Sequence, residues 1–234
     1  MSIHLPIAGS DDRYTIAPSK IIAVGLNYLD HVKESRAFDE RDLDVPQEPV
    51  IFAKTPNVLI GPEEEIVIPR MLKEYRFENL RVDYEAELAM IIGTPGKDIP
   101  EERAMEHVFG FTCFNDVSAR NIQKTDDSGW FRGKSLDTFG PIGPVVVPRE
   151  KIADPQKLMV RARLNGTVVQ EASTAQMIFP LSRIISFISR NMRLEAGDII
   201  ATGTPSGVGP IKQGDLVEIE VEGIGVLKNR VIEQ

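Results

Sequence analysis

The sequence predicts a mostly β fold with short helices, in the α+β class. Short apolar runs bounded by glycine or proline dominate the 234 residues, and the 18 glycines and 16 prolines are spread along the whole chain. Such runs are typical of strands. Strands and helices do not alternate regularly, which disfavours a doubly wound parallel sheet and favours antiparallel or mixed sheets. The chain is long enough to bury a substantial core.

The predicted strands are apolar runs that end at turn residues. Asn165-Gly166 is typical of a two-residue hairpin turn, and Gly223-Ile224-Gly225 marks another turn near the C-terminus. In chain order, the predicted strands are 21–25, 49–54, 84–92, 110–116, 144–147, 158–164, 167–172, 198–202, 215–221 and 226–232.

Helical signals are fewer. The strongest follows Pro180, where apolar residues recur at helical spacing, at Leu181, Ile184, Ile185, Ile188 and Met192. A proline followed by acids at 100–103 is typical of the first turn of a helix. A third helix is predicted at 27–36. The acid-rich segment 37–48 has no hydrophobic period and is predicted to be a mobile loop.

Composition excludes several classes of function. A hydrophobic fraction of 42% with 26% charged residues is that of a soluble globular protein. The net charge of −8 disfavours binding to nucleic acid. No apolar run reaches the roughly 18–20 residues of a membrane span, and the first residues lack the pattern of a secretory signal. We therefore expect a cytoplasmic protein that binds neither membrane nor nucleic acid.

Other chemistries lack their sequence signatures. The glycine-containing segments 129–135 and 203–209 fit neither a phosphate-binding loop nor a dinucleotide fingerprint, and no G-x-S-x-G motif occurs. A single cysteine, Cys113, cannot form an internal disulfide. With only three histidines, a zinc site rich in histidine is hard to assemble, so a metal would be held mainly by carboxylates.

The segment from Asp83 to Ile92 carries the clearest chemical signal. Side chains two apart share one face of a strand, so Asp83, Glu85 and Glu87 would point the same way, with Leu88, Met90 and Ile92 on the opposite, core face. A half-exposed strand with solvated acids is the simplest interpretation. Glutamate is nevertheless a poor strand former, which favours a ligand that binds these carboxylates.

Asp116 adds a third carboxylate at the end of the next apolar strand. Hard oxygen ligands suit Mg²⁺ or Mn²⁺, with Ca²⁺ as an alternative, rather than Zn²⁺. A bound organic dianion would need cations as well, and the candidates are Arg120, Lys134 and Lys54. The alternative for these three is ordinary surface charge.

His31 and Glu34 lie three positions apart on the helix predicted at 27–36, and so on one face within mutual reach. The alternative is an exposed histidine beside an acid by chance. His107, next to Glu106, is interpreted as structural, and His4 is predicted to lie in a frayed terminus.

Several motifs occur together in one order. They are Val-Gly-Leu-Asn-Tyr-Leu-Asp-His at 24–31, Phe-Ala-Lys at 52–54, Tyr-Glu-Ala-Glu-Leu at 84–88, Asn-Asp-Val-Ser-Ala-Arg-Asn-Ile-Gln at 115–123, Gly-Lys-Ser at 133–135, Asn-Gly at 165–166 and Gly-Asp-Ile-Ile-Ala-Thr-Gly-Thr-Pro-Ser-Gly-Val-Gly-Pro at 197–210. The chain thereby resembles the fumarylacetoacetate hydrolase family, in particular its small members of the acylpyruvase and oxaloacetate decarboxylase type. The resemblance covers 20–234, which would form the catalytic domain. Residues 1–19 match poorly and are expected to form a short arm or an edge strand.

The resemblance implies a mixed β-roll that usually forms a homodimer. It implies that Mg²⁺ or Mn²⁺ is ligated by Glu85, Glu87 and Asp116, and it gives Asp83 no ligand role. Contacts to the keto-carboxylate end of the substrate are implied for Lys134, Arg120, Gln123 and Thr204. It also makes His31 and Glu34 a catalytic pair on a lid segment, with 37–48 as the mobile part of the lid.

We therefore expect an enzyme whose partner is a small-molecule 2-oxo acid. The preferred reaction is hydrolysis of the C–C bond of a 2,4-dioxo acid, an acylpyruvate or fumarylpyruvate, through a metal-bound enolate, with Lys134 as an added cation and His31 activating water. Decarboxylation of an oxaloacetate-type acid and isomerisation of a 2-hydroxymuconate-type acid are alternatives. A metal-stabilised binding protein without catalysis is the alternative outside enzymes.

Overall fold

The computed structural model describes residues 2–38, 45–75, 77–127 and 129–234, and for 35–38 it describes the backbone only. Much of the loop predicted at 37–48 lies outside the described residues. Strands account for 41% of the chain and helices for 23%, which confirms the mostly β, α+β fold class. No helix of the described part is long and apolar enough to span a membrane.

The strands are short and follow one another closely along the chain. In order they are β1 (Ile3–Pro6), β2 (Arg13–Ile16), β3 (Ile21–Gly25), β4 (Val50–Lys54), β5 (Leu59–Ile60), β6 (Ile66–Ile68), β7 (Val82–Tyr84), β8 (Ala86–Ile92), β9 (Val108–Asn115), β10 (Ser118–Ala119), β11 (Gly140–Pro148), β12 (Met159–Leu164), β13 (Thr167–Ser173), β14 (Ile199–Ala201), β15 (Gly209–Pro210), β16 (Leu216–Val221) and β17 (Gly225–Glu233).

The helices are also short. They are α1 (Leu29–Phe38), α2 (Met71–Glu74), α3 (Arg120–Thr125), α4 (Phe131–Lys134) and α5 (Leu181–Asn191). Helices of the 3₁₀ type occur at Pro56–Val58, Glu101–His107, Arg149–Lys151, Pro155–Lys157 and Thr174–Gln176. The amphipathic helix predicted after Pro180 is confirmed, whereas the helix predicted from 100 is a 3₁₀ helix.

The largest sheet has β8 at its centre. Its strand order is β4-β3-β14-β8-β9-β11-β5, with β3–β14 and β11–β5 parallel and the other pairs antiparallel. Residues of β8 are buried on both faces: Leu88 and Met90 belong to one apolar cluster, and Ala89 and Ile91 belong to another. The core face predicted for Leu88, Met90 and Ile92 is confirmed, and the opposite face of β8 is buried as well.

Two layers cover the large sheet. The main cluster lies between it and a second sheet, of order β13-β12-β16-β17-β6, together with the apolar face of α5. On the other side, Leu5 of β1 and Ile16 of β2 are buried in the second cluster. The β1–β2 hairpin therefore covers this second cluster. His4 lies in β1 and pairs with Thr15 across the hairpin, so the prediction of a frayed His4 is wrong.

The segment predicted as one strand at 84–92 is divided between two sheets. β7 belongs to a small sheet of order β10-β7-β15, and β8 belongs to the large one. Glu85 lies in the gap between them, where its N–H donates to the side-chain oxygen of Asn115, at the end of β9, rather than to a backbone carbonyl (2.9 Å). At this break the segment that carries the carboxylates passes from the small sheet to the large one.

Candidate active site

Three carboxylates converge where β7 gives way to β8. Glu85 occupies the gap, Glu87 is the second residue of β8, and Asp116 directly follows β9, the antiparallel partner of β8. One oxygen from each lies within 4.8 Å of the others, and all three side chains are buried. The interpretation of 82–87 as a half-exposed strand with solvated acids is therefore wrong.

Two lysines are buried against this cluster. Lys134 Nζ lies 2.9 Å from Glu85 Oε2 and 2.7 Å from Asp116 Oδ2, and Lys54 Nζ lies 2.6 Å from Asp116 Oδ1. Their side chains are 2% and 0% exposed, so the alternative of ordinary surface charge is wrong for both. Buried lysines at this distance neutralise the carboxylates they contact.

Glycine at 133 allows Lys134 to reach the cluster. A Cβ there would lie 2.8 Å from the backbone nitrogen of Gln123 and 2.9 Å from the carbonyl oxygen of Ala119. Helices α3 and α4 can therefore approach closely only because this residue has no side chain. The close contact brings Lys134, from the end of α4, beside Arg120, from the start of α3.

The pKa values of Glu85 and Glu87 are shifted in opposite directions. Burial opposes ionisation of Glu85, but Lys134 and Arg120 outweigh it and hold its pKa well below the usual range. For Glu87, burial and the charges of Asp116 and Glu85 all act in one direction and raise the pKa well above the usual value. Burial also lowers the pKa of Lys54 despite Asp116, whereas Asp116 and Glu85 outweigh burial and raise the pKa of Lys134.

The donor set fits a hard divalent cation. Glu87 accepts a hydrogen bond from the N–H of Gly203 (2.9 Å), and among the described residues no lysine or arginine forms an ion pair with it. A buried carboxylate without its own cation, within 4.8 Å of two others, is the arrangement that Mg²⁺ or Mn²⁺ relieves. The three acids that would hold the ion are Glu85, Glu87 and Asp116.

Asp83 takes no part in this cluster. Its carboxylate accepts hydrogen bonds from Nε of Arg81 (2.8 Å) and Nε of Arg120 (2.8 Å). Arg120 also forms an ion pair with Glu85 Oε1 at 2.6 Å and donates to Gln123 Oε1 (3.0 Å). Asp83 therefore holds the guanidinium of Arg120 beside Glu85, and the two carboxylates share this cation, as expected of side chains on one face of a strand.

A cavity of about 180 Å³ opens beside the cluster. Its polar wall includes His31, Glu34, Glu85, Arg120, Lys134 and Thr204, and Gln123 lines it as well. Phe52 and Trp130 form an aromatic part of the wall, with ring centroids 5.3 Å apart. Lys54 lies outside the lining, behind Asp116. The cavity thus brings together the predicted catalytic and substrate residues other than Lys54.

His31 and Glu34 contact each other on α1. His31 Nδ1 lies 3.1 Å from Glu34 Oε2, and the Gly207 N–H donates to both oxygens of Glu34, at 3.0 and 3.1 Å. Burial opposes ionisation of Glu34, but the bonds from His31 and Gly207 outweigh it and lower its pKa. Because an ionised carboxylate only accepts, Nδ1 carries the proton and Nε2 is left as a base.

Similarity to a known protein family extends over the part of the chain that contains these site residues. The model of the fumarylacetoacetate (FAA) hydrolase C-terminal family matches residues 20–232. The chain belongs to the fumarylacetoacetate hydrolase family. The human protein named oxaloacetate tautomerase FAHD2A, mitochondrial, is 42% identical over 223 residues, which are 92% of this chain and 67% of that protein.

Solved structures of the family have the same fold. Fumarylpyruvate hydrolase from Pseudomonas aeruginosa, in complex with Mn²⁺ and pyruvate, gives a TM-score of 0.86 at 29% identity and covers 100% of this chain and 97% of that chain. The 5-carboxymethyl-2-hydroxymuconate delta-isomerase from Mycobacterium smegmatis gives a TM-score of 0.81 at 42% identity, covering 94% and 81%. The family therefore includes hydrolases and isomerases on one scaffold.

Some parts of this family site were missed by the sequence analysis. The N–H groups of Gly203 and Gly207 bind Glu87 and Glu34, and Gln170 donates to Thr204 Oγ1 (2.8 Å). The glycine-rich segment 203–209 was a signal for the two backbone donors, because Gly203 and Gly207 have φ of +99° and +100°. Nothing in the sequence singles out Gln170.

Proposed function

We propose that the protein is a divalent-metal-dependent hydrolase that cleaves the C–C bond of a 2,4-dioxo acid of the acylpyruvate or fumarylpyruvate type. The observation that carries the proposal is that an oriented histidine base, His31 with Glu34, and the carboxylate Glu85 line the same cavity. Cleavage of such a bond by water needs both an activated water and a place for negative charge.

The chain's cationic and polar side chains would bind the keto-carboxylate end of the substrate. Lys134 and Arg120 face the cavity beside Glu85, and Gln123 and Thr204 line it nearby. A divalent ion held by Glu85, Glu87 and Asp116, Mg²⁺ or Mn²⁺, would supply Lewis-acid stabilisation of charge that develops on the 2-oxo group.

The proton transfers belong to His31. Its Nε2 takes a proton from water, and the hydroxide so formed adds to the C4 carbonyl carbon. The C3–C4 bond then breaks, and its electron pair passes to C3 and the adjoining 2-oxo group. The imidazolium returns the proton to C3, which gives pyruvate and the acid of the acyl group. Glu34 stabilises the imidazolium throughout.

Keto–enol tautomerisation of oxaloacetate is the second candidate. Two observations favour it: the 42% identity to a protein named oxaloacetate tautomerase, and the similarity to a named isomerase. This reaction moves a proton between carbon and oxygen and needs no attacking water. The same metal cluster and base would suffice.

The decisive experiment compares two substrates in two variants. We expect His31→Ala to lower kcat/KM for acylpyruvate hydrolysis by about 10²–10⁴-fold, the usual contribution of a positioned general base. Metal-assisted decarboxylation of oxaloacetate, which needs no water attack, should fall less. Glu87→Ala should abolish both reactions because the ion loses a ligand. Loss of enol absorbance, with Mg²⁺ and then with EDTA, measures the rates.

His107→Ala is the matched control, since His107 bonds to the carbonyl oxygen of Thr94 (2.8 Å) and does not line the cavity. It should leave both rates unchanged. If His31→Ala lowers both reactions equally, α1 acts as a substrate clamp rather than as the carrier of a base. If the wild-type protein interconverts the keto and enol forms of oxaloacetate but cleaves no acylpyruvate, the tautomerase assignment replaces the hydrolase.

A further inference from the structure

Tyr84 contacts neither the cavity nor the carboxylate cluster, yet it is joined to the catalytic pair. It is the last residue of β7, directly before Glu85, and is 3% exposed. Its hydroxyl donates to the carbonyl oxygen of Gly207 (2.8 Å). Because a backbone carbonyl oxygen can only accept, the hydroxyl is the donor in this bond.

Gly207 uses both of its backbone polar groups at this point. Its carbonyl accepts from Tyr84, and its N–H donates to Glu34 Oε1 (3.0 Å) and Oε2 (3.1 Å). The residue has φ of +100°, and a Cβ would lie 2.0 Å from the carbonyl oxygen of Val169. Glycine is therefore required here, and no side chain of its own can hold the residue in place.

Glu34 is in turn the hydrogen-bond partner of His31, at 3.1 Å. Hydrogen bonds thus run without interruption from Tyr84 through Gly207 and Glu34 to the imidazole. The first member is covalently next to Glu85, a proposed metal ligand, and the last member is on α1. The series links the carboxylate segment to the helix that carries the base.

We propose that Tyr84 is a positioning residue for the His31–Glu34 pair, acting through the backbone of Gly207. The proposal rests on the proposed function, in which His31 is the base. The Tyr84 hydroxyl fixes the orientation of Gly207, and the Gly207 N–H fixes the carboxylate that selects the His31 tautomer. An outer hydrogen-bond partner of this kind usually contributes about 10–100-fold to activity.

The test is Tyr84→Phe, which removes the hydroxyl and keeps the buried ring. We expect kcat for acylpyruvate hydrolysis to fall about tenfold with KM little changed, because substrate contacts remain. Tyr14→Phe is the matched control: Tyr14 lies in β2, in tilted ring contact with Phe109 and outside the cavity lining, and the kcat of this variant should stay at the wild-type value.

A double-mutant cycle separates positioning from general damage to the fold. In a Glu34→Gln background, Tyr84→Phe should have little further effect, because both changes interrupt the same series of bonds. A Tyr84→Phe effect of equal size in both backgrounds would overturn the proposal, as would a wild-type kcat in the single variant.

A substrate-free measurement keeps this inference separate from the proposed reaction. With three histidines in the chain, the ring nitrogens of His31 can be assigned by NMR against His31→Ala. Tyr84→Phe should move the Nδ1 and Nε2 signals of His31 in the same direction as Glu34→Gln does. Unmoved signals overturn the positioning role of Tyr84 even if the enzyme hydrolyses acylpyruvates. A shift supports this role even if the substrate is another 2-oxo acid.

Discussion

Glu87 lies on β8, and one of its carboxylate oxygens is within 4.8 Å of oxygens of Glu85 and Asp116. Burial, together with these two charges, raises the pKa of Glu87 well above its usual value. The neutral form is therefore favoured in the folded, metal-free protein. Since the folded pKa exceeds the unfolded one, the resulting stability is full below about pH 4.3, the usual pKa of Glu, and is lost as the pH rises through the raised value. A bound cation would displace the proton and reverse this loss.

We therefore predict that the gain in Tm on adding Mg²⁺ or Mn²⁺ increases with pH. The measurement is thermal unfolding with metal and with EDTA across a pH series. In Glu87→Gln the metal-free protein should no longer lose stability through this group, and the metal-induced gain should shrink. A gain in Tm that is constant with pH, or equal in Glu87→Gln, would contradict this assignment.

At the scale of single residues, the sequence predicted the acids better than their surroundings. Glu85, Glu87 and Asp116 were recognisable because carboxylates at the ends and centres of apolar strands are unfavourable without a ligand. The role of Asp83 in holding Arg120 was not recognisable, because the two residues are 37 positions apart in the sequence. The backbone donors of Gly203 and Gly207 carry no side-chain signal.

Asn27 joins three elements at the entrance to α1. Its side-chain nitrogen donates to the carbonyl oxygens of Thr202 (2.8 Å) and Phe179 (3.2 Å), and its side-chain oxygen accepts from the N–H of Phe179 (2.8 Å). The residue is fully buried. The start of the base-bearing helix is thus tied to the end of β14 and to the segment that precedes α5.

Asn27→Ala should lower the free energy of unfolding by about 2–4 kcal/mol, since several buried polar groups lose their partners and each costs about 1–3 kcal/mol. Denaturant unfolding at constant metal concentration measures the loss. Asn191→Ala is the control, because Asn191 is exposed and, within the described part of the chain, its side chain bonds only to Phe187 of its own helix. A cost for Asn27→Ala no greater than that of the control would show that water replaces these bonds.

At the scale of elements, apolar patterning predicted β3 without error and α5 to within a residue. The strand predicted at 84–92 was wrong at one residue, Glu85. At that break the Asn115 side chain takes the place of a backbone acceptor for the Glu85 N–H, and a contact between residues 30 apart leaves no local pattern. The two-residue strands β5, β10 and β15 likewise exist only through their long-range partners.

The whole molecule depends on covering both faces of the large sheet. Leu5 is 2% exposed and packs with Ile16 in the second apolar cluster, beneath the β1–β2 hairpin. Without the hairpin, that face of the sheet would be open to water. The N-terminal residues therefore contribute to the core even though the family model begins at residue 20.

Leu5→Ala should destabilise the protein by about 2–5 kcal/mol, the usual cost of truncating a buried leucine. Leu5 does not line the cavity of the candidate site, so metal should still raise the Tm by the wild-type amount. His4→Ala, on the exposed side of the same strand, is the control and should change stability by less than about 0.5 kcal/mol. A small cost for Leu5→Ala would mean that the hairpin is not part of the cooperative core.

The fold class was predictable because apolar runs, breakers and their spacing are local. The order β4-β3-β14-β8-β9-β11-β5 was not, because it brings strands from residues 21–25, 86–92 and 199–201 side by side. Pairing over such distances is set by the fit of whole faces, which short windows of sequence do not contain.

The position of β8 affects how fast backbone amide hydrogens exchange with solvent in the two parts of the candidate active site, the carboxylate strand and helix α1. Glu87 lies on a strand with neighbours at both edges and apolar clusters on both faces, so its backbone amide is released only when the molecule unfolds globally. His31 lies on the ten-residue helix α1, at the margin of the sheet. Glu34, on the same helix, is held by a hydrogen bond from a single loop residue, Gly207. A local opening therefore releases the base while the carboxylates stay in place. Amide hydrogen exchange would divide the residues of this candidate site into two classes of protection.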